Sequence, residues 1–461
     1  MRLLDKLPND FYWGGSTSSF QCEGAWNIDG KGLSVYDKKE IYPGASDWKN
    51  AVDFYHHYKE DIDLLSELGF NMYRLQFSWS RIFPDGTRTS LNEKGVQFYD
   101  NVINYMLEKG IEPMVCLYHF DMPLALAEKY NGWASREVID LFVDYVDFVI
   151  NHFKGRIKYY ITFNEQNLFL WKIKVCGGQV PEGQNPQEFL FQGAHNSYIA
   201  HARCVQLMKA IDPNIQVGGM VAYNSFYPAT SDPKDVKFAQ DLEYMYDLFT
   251  FDIFVKGEYS HFMLNYFKKN GYKIEITEED KKLLKNIKND FLAFSYYASR
   301  TVKYIDIDTN KFFFGQNYLV KNPYLETTEV WNWDIDPLGL RMIMDKVYNR
   351  YNIPLFILEN GIGLVEELDE NGEVHDTKRI EYHRSHINAM KDAILEDEIP
   401  CKGYLTWGPI DILSSNGEMK KRYGFVFVNR DENDLRDMRR VKKESFEWMK
   451  NVCKTNGEDL R

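Results

Sequence analysis

Pro354-Leu355-Phe356-Ile357-Leu358-Glu359-Asn360-Gly361 passes from a short apolar run to a carboxylate and then to a turn-forming Asn-Gly. A run this short, closed by turn signals, reads as a parallel strand buried on both faces, since helices covering both sides of such a sheet leave no polar face. Glu359 then stands at the carboxyl end of the strand, the edge at which α/β folds carry their chemistry. A strand-end Glu also serves as a helix cap or an arginine partner. The rest of the chain has to separate these readings.

Strand-like runs and helix-period runs alternate on both sides of this stretch. Phe11 to Gly15 opens the series of strands. Met72–Trp79, Pro113–Tyr118, Ile157–Phe163, Ile215–Ala222, Phe291–Tyr296, Ile353–Leu358 and Gly403–Trp407 follow. The helix at Val52–Leu68 carries Tyr55, Tyr58, Ile62 and Leu65 on one face, with Gly69 as its stop signal. Further helices are expected over about Asn92–Glu108, from an N-cap at Ser135 through Phe153, and over about Pro186–Ile211. Eight strands, each followed by helical sequence, predict an α/β protein with a closed (β/α)8 TIM barrel rather than an open doubly wound sheet. No linker divides residues 1–461, so one domain is expected. Ser225 to Asn289 is long for one connection and should add helices to the rim, with Lys281–Lys288 as a solvated helix face.

Composition excludes several functions. With 461 residues, 44% of them apolar and 16% aromatic, the chain can bury a large core. No window approaches 18 uninterrupted apolar residues, so no membrane span is predicted. Met1 to Lys6 lacks the apolar stretch of a signal peptide, and six cysteines show no metal-type spacing. Both features predict a cytoplasmic protein with dispersed thiols and no bound metal. A net charge of −13 argues against nucleic acid or an anionic membrane surface as partner. Any site for an anion must be local.

A second carboxylate stands at a strand end in Thr162-Phe163-Asn164-Glu165-Gln166-Asn167. Side chains at the tops of the fourth and seventh strands of such a barrel can face one another across its axis. Two facing carboxyls are what glycoside hydrolysis requires, one to attack the anomeric carbon and one to protonate the leaving oxygen.

FYWGGSTSSFQCEGAW, YRLQFSWSRI, YHFDMP, TFNEQ and LENG together resemble glycoside hydrolase family one, the retaining β-glycosidases, over nearly the whole chain and in the family's order. Gln166 stands where the family has proline. The resemblance implies that Glu165 is the acid/base and Glu359 the nucleophile. It also implies that Asn164, Gln21 and His119 bind sugar hydroxyls, and that Arg74 and Tyr297 support Glu359. Trp407 would form an aromatic floor, and no metal or organic cofactor takes part. Glu165 has to start protonated, a condition the adjacent charge of Glu359 favours.

The segment after Trp407 departs from the common β-glucosidase pattern. Ser414 replaces the Glu that grips the sugar's outer hydroxyls, Ser415 replaces the adjacent Trp, and Tyr423 replaces a Phe. A carboxylate there would repel a phosphate at the sugar 6-position, whereas Ser and Tyr hydroxyls can donate to it and Lys421 adds charge. This pattern, with Phe120, Gln166, Ser295 and Trp331–Arg341, resembles the 6-phospho-β-glycosidases of the family. The galactosidases of that subgroup place a Trp at the position of Ser415, so a small-molecule 6-phospho-β-glucoside is the implied substrate. A 6-phospho-β-galactosidase, a dual enzyme, an unphosphorylated β-glucosidase and a non-catalytic sugar-binding protein are the alternatives. Arg422 reads as a structural ion-pair partner, and Trp331 and Trp333 as either aglycone contacts or rim packing. Monomer and homo-oligomer both remain open.

Overall fold

A computed structural model of the chain describes residues 6–461. The reading of a missing leader in Met1 to Asp5 lies outside the described residues. Eight parallel strands close into a ring: β1 (Tyr12–Ser16), β2 (Met72–Gln76), β3 (Glu112–Tyr118), β4 (Tyr159–Phe163), β5 (Gln216–Ala222), β6 (Phe291–Tyr296), β7 (Leu355–Asn360) and β8 (Cys401–Trp407). Each strand neighbours the next in sequence, and β1 pairs with β8 from Tyr12 opposite Gly403 to Ser16 opposite Trp407. This is the (β/α)8 barrel that the alternation predicted. Helices α1 (Phe54–Glu67), α2 (Glu93–Glu108), α3 (Glu137–His152), α4 (Pro186–Ile211), α5 (Pro337–Tyr351), α6 (Thr377–Leu395) and α7 (Glu444–Lys454) contribute to the outer shell.

The strands sort their side chains by parity. Met72, Met114, Cys116, Tyr159, Ile161, Met220, Phe291, Ala293, Phe356, Leu358 and Leu405 fill the barrel, while Leu355, Ile357 and Tyr160 face the helices. Both sets are buried, which is why the strands read as continuous apolar runs. Gly14 sits where β1 crosses β2, and a Cβ there would lie 2.0 Å from the Met72 carbonyl oxygen. The segment after α7 is tied to β1 and the residues before it. Trp13 Nε1 donates to Asn456 Oδ1 at 2.9 Å, and Asn456 Nδ2 donates to the Pro8 carbonyl at 3.0 Å.

Three local expectations are corrected. Ser135 does not cap α3: the helix starts at Glu137, and the Ser135 hydroxyl donates to the Glu137 carboxylate instead of accepting an N–H. Arg136 occupies the cap position and spends its guanidinium on Asp280, at 2.7 and 3.0 Å. The second strand stops at Gln76, because Ser78 turns the chain into a short helix over Trp79–Ile82. The lysines of the 281–288 run are exposed as expected, but the helix beneath them ends at Leu284. The connection after β5 does carry extra helices, at Pro233–Glu243, Phe249–Lys256, His261–Asn270 and Glu278–Leu284. No helix among the described residues is long and apolar enough to cross a membrane, and all six cysteines are free thiols.

Candidate active site

Strict alternation along β7 would turn Glu359 outward, since Phe356 and Leu358 already point in. A β-bulge corrects this: Ile357 pairs with Phe294 and Glu359 with Ser295, so β7 carries one residue more than β6 across that step. Re-aimed into the mouth, Glu359 accepts from Arg74 Nη1 at 2.6 Å and from the Tyr297 hydroxyl at 2.7 Å. Arg74 follows Met72 on the inward face of β2 and is fully buried. Burial pushes the Glu359 carboxyl up to about 7. Arg74 and Tyr297 pull it back down, and the charge of Glu165 adds to the rise.

Glu165 stands just past β4 in the left-handed conformation, φ 39°, which a residue with a side chain adopts at a cost. That turn frees it from strand parity. Its Oε1 accepts from the Ser295 hydroxyl at 2.5 Å. Ser295 thus serves both carboxylates, with its backbone opposite Glu359 and its hydroxyl on Glu165. Asn167 fixes the segment behind Glu165 by donating to the carbonyls of Ala222 and Tyr246 and accepting from the Ala222 N–H, all within 2.9 Å. Gln166 is fully buried, and its amide donates to Ser197 Oγ at 3.0 Å.

Arg74 also donates to Asn164 Oδ1, which forces the Asn164 amide nitrogen toward His119 Nε2, 3.0 Å away. His119 must accept there and so carries its proton on Nδ1, which has no protein acceptor. Burial, with help from Arg74, holds His119 well below the usual histidine range, so the ring is neutral at pH 7. The Trp407 ring lies 5.7 Å from that of His119. Gln21 accepts from Ser18 Oγ at 2.8 Å and donates to the Leu413 carbonyl at 2.6 Å, which ties the first strand's loop to the last.

The segment after β8 closes one side. Ser414 Oγ accepts N–H bonds from Asn416 at 3.2 Å and Glu418 at 3.0 Å, so its own proton is free to be donated elsewhere. Ser415 is exposed on the rim. Lys421 Nζ lies 3.7 Å from the centre of the Trp333 ring, 4.8 Å from Trp331 and 5.8 Å from Tyr423, and burial pushes it down to about 8. Arg422 points the other way, into a buried pair with Asp411 at 3.0 Å and onto the carbonyls of Val428 and Arg430.

The mouth is a cavity of about 390 Å³. Gln21, His119, Glu165, Tyr297, Glu359, Trp407, Ser414, Ser415, Lys421 and Tyr423 line it, and Arg74 and Asn164 lie directly beneath, hydrogen-bonded to one another. All twelve residues singled out by the sequence therefore meet at one place. Trp333 lines the cavity too, at the side of Lys421. Lys172, Lys174 and Arg300 also line it, though sequence reasoning passed over them. They lie in connections after β4 and β6 where no periodicity marks them. Among the described residues one group has metal-ligating atoms mutually within 4.8 Å: Asp369, Glu373 and His375. All three are exposed, and none lines the mouth.

Comparison with known proteins matches residues 3–458 to the model of glycosyl hydrolase family 1. An aryl-phospho-beta-D-glucosidase of Bacillus subtilis is 43% identical over 99% of this chain and 100% of its own length. A 6-phospho-beta-glucosidase of Escherichia coli is 40% identical over the same shares. Among solved structures, a family 1 β-glucosidase from Thermotoga maritima superposes with a TM-score of 0.88 at 31% identity, covering 99% of this chain and 100% of that one.

Proposed function

The chain belongs to glycosyl hydrolase family 1, and from that premise we propose a retaining 6-phospho-β-glucosidase that releases glucose 6-phosphate from 6-phospho-β-D-glucosides. Relatives named aryl-phospho-beta-D-glucosidase, 6-phospho-beta-glucosidase and phospho-cellobiase support this substrate class. The observation that carries it in this chain is Ser414. Its hydroxyl stands in the mouth with both lone pairs facing N–H groups and its proton available, beside Lys421 and Tyr423 and with no carboxylate in its place. An anion is the ligand such a corner suits.

In this reading the 6-phosphate binds Ser414, Lys421 and Tyr423, exchanging the aromatic partners of Lys421 for a charge. Ser415 leaves space beside it, and Gln21, His119 and Asn164 hold the ring hydroxyls over Trp407. Glu359, oriented by Arg74 and Tyr297, attacks C1 while Glu165 gives its proton to the glycosidic oxygen. The C1–oxygen bond breaks, the aglycone leaves, and an ester joins C1 to Glu359. With Glu359 neutralised, Glu165 is left as a carboxylate that takes a proton from water. The water oxygen attacks C1 and frees Glu359. The carboxyl pair holds one proton through this cycle, and the rise of Glu359 toward 7 is the cost of placing both in one buried mouth. We assign the enzyme to the cytoplasm, where phosphorylating uptake delivers such substrates, and read residues 1–461 as one catalytic domain.

The test is kcat/KM on 4-nitrophenyl β-D-glucoside with and without a 6-phosphate. A preference for the phosphorylated compound by about 1,000-fold or more is expected, on the order of 4 kcal/mol. Preference for the unphosphorylated compound would leave the barrel and both glutamates but overturn the substrate.

A further inference from the structure

The mouth holds more positive charge than one phosphate needs. Lys172, Lys174, Arg300 and Lys421 line it, against the carboxylates of Glu165 and Glu359 alone. One proton on the carboxyl pair and the roughly two charges of a bound 6-phosphate still leave a cation over when Lys174 holds its proton, a state that an anion bound beside it favours. This stands out in a chain whose net charge is −13.

The surplus lies in one corner. Beyond Glu165 and the short turn Gln166–Leu170, Lys172 stands at the N-cap of the helix Ile173–Cys176 and Lys174 lies within it, and both feel the charge of Glu165. Arg300 follows Tyr297 after β6 and acts electrostatically on Lys172 and Lys421. Among the described residues none of Lys172, Lys174 and Arg300 has a carboxylate within 4 Å. Burial and the repulsion of Lys172 and Lys39 push Lys174 down to about 7, while Asp334 and Asp247 act on Arg300 from beyond hydrogen-bonding distance. Its wall is aromatic. The Trp171 ring lies 4.6 Å from Phe314 and 5.2 Å from Tyr246, and Lys172 Nζ sits 5.0 Å from the centre of Trp171. Because Glu165 protonates the leaving oxygen, the residues beside it face the leaving group.

We propose that Lys172, Lys174 and Arg300, with Trp171 and Phe314, form a second anion subsite on the aglycone side, selecting 6-phospho-β-glucosides of phenols that carry a carboxylate. The proposal rests on the phospho-glucosidase reading. The ring stacks on Trp171 and Phe314, and the carboxylate takes charge-assisted hydrogen bonds from the cations.

The experiment compares 4-carboxyphenyl with 4-carbamoylphenyl 6-phospho-β-D-glucoside, a pair differing in charge but little in shape. The wild type is expected to favour the carboxylate in kcat/KM by about tenfold or more, the yield of one charge-assisted contact. That ratio should fall to within about twofold in Lys172→Met/Lys174→Met and in Arg300→Met, and persist in Lys172→Arg. Sulfur-linked analogues of both compounds, which are not cleaved, give the same ratio as binding constants by calorimetry. A wild-type ratio near one in both assays overturns the proposal. So does a ratio that survives the methionine variants while the preference for 6-phosphate collapses, since the cations would then serve the sugar phosphate. Absence of turnover on either compound would count against the phospho-glucosidase reading, and the calorimetric ratio would still decide the subsite.

Discussion

Replacing Glu165 by Gln tests whether the two carboxyls feel one another. Glu359 titrates near 7 because burial raises it and Glu165 adds repulsion, against the pull of Arg74 and Tyr297. In retaining enzymes the two carboxyls stand about 5.5 Å apart. Two like charges at that distance, in an effective dielectric of about 20, repel by about 3 kcal/mol, or about two pKa units. Glu165→Gln removes the charge and keeps the shape. Because the working state carries its one proton on Glu165, the repulsion falls on the second ionisation of the pair, so the proton lost near 7 in the wild type should give way to a single ionisation of Glu359 toward about 5. The assay is a carbon-13 NMR titration of the labelled glutamate carboxyls in both proteins. A Glu359 midpoint that stays within about 0.3 units of the wild-type one would refute the reasoning, leaving the elevation to burial alone.

Tyr297→Phe removes a hydrogen bond to ionised Glu359, so the Glu359 midpoint should move up by about one unit in the same titration. An unmoved midpoint would mean that Tyr297 does not support Glu359. Ser414→Glu puts a carboxylate beside the sugar 6-position and should lower the ratio of phosphorylated to unphosphorylated turnover by about 100-fold. Equal losses on both substrates would place the phosphate elsewhere. Arg422→Met leaves Asp411 in a buried pair it shares with Lys443 alone, and should cost about 3 kcal/mol in urea unfolding without changing that ratio. A collapsed ratio with unchanged stability would make Arg422 a phosphate ligand.

Strands were legible because both faces of each are covered, which turns them into apolar runs that stand out between helical periods. The twelve site residues were legible because they sit in or next to those runs and motifs. What escaped was direction. Nothing in Leu358-Glu359 announces that β7 gains a residue there, and nothing in Asn164-Glu165 announces a left-handed turn, yet each decides where its carboxylate points. Ser295 was noted as part of a pattern but not as a donor to Glu165, because a hydroxyl's partner depends on a strand 130 residues away. Lys172, Lys174 and Arg300 escaped for a related reason. Lysines and arginines in irregular connections usually face solvent, and only the folded mouth turns these inward. The Ser135 cap failed because a neighbouring Glu137 competes for the hydroxyl.

The ring closes only where β8 pairs with β1, and Asn456 ties the segment beyond α7 to β1 and Pro8. Neither carboxylate, nor Arg74, nor Tyr297 lies beyond residue 360, so a chain cut before Cys401 would keep its reacting groups. It would also present two open sheet edges, on β1 and on β7, and an unpaired edge of apolar strand recruits other chains. During synthesis the same holds: until the last sixty residues emerge, the protein is an unfinished cylinder with all its reagents and no vessel. Its vulnerability to nicking, truncation and stalled translation is therefore concentrated in a stretch that performs no bond-breaking at all.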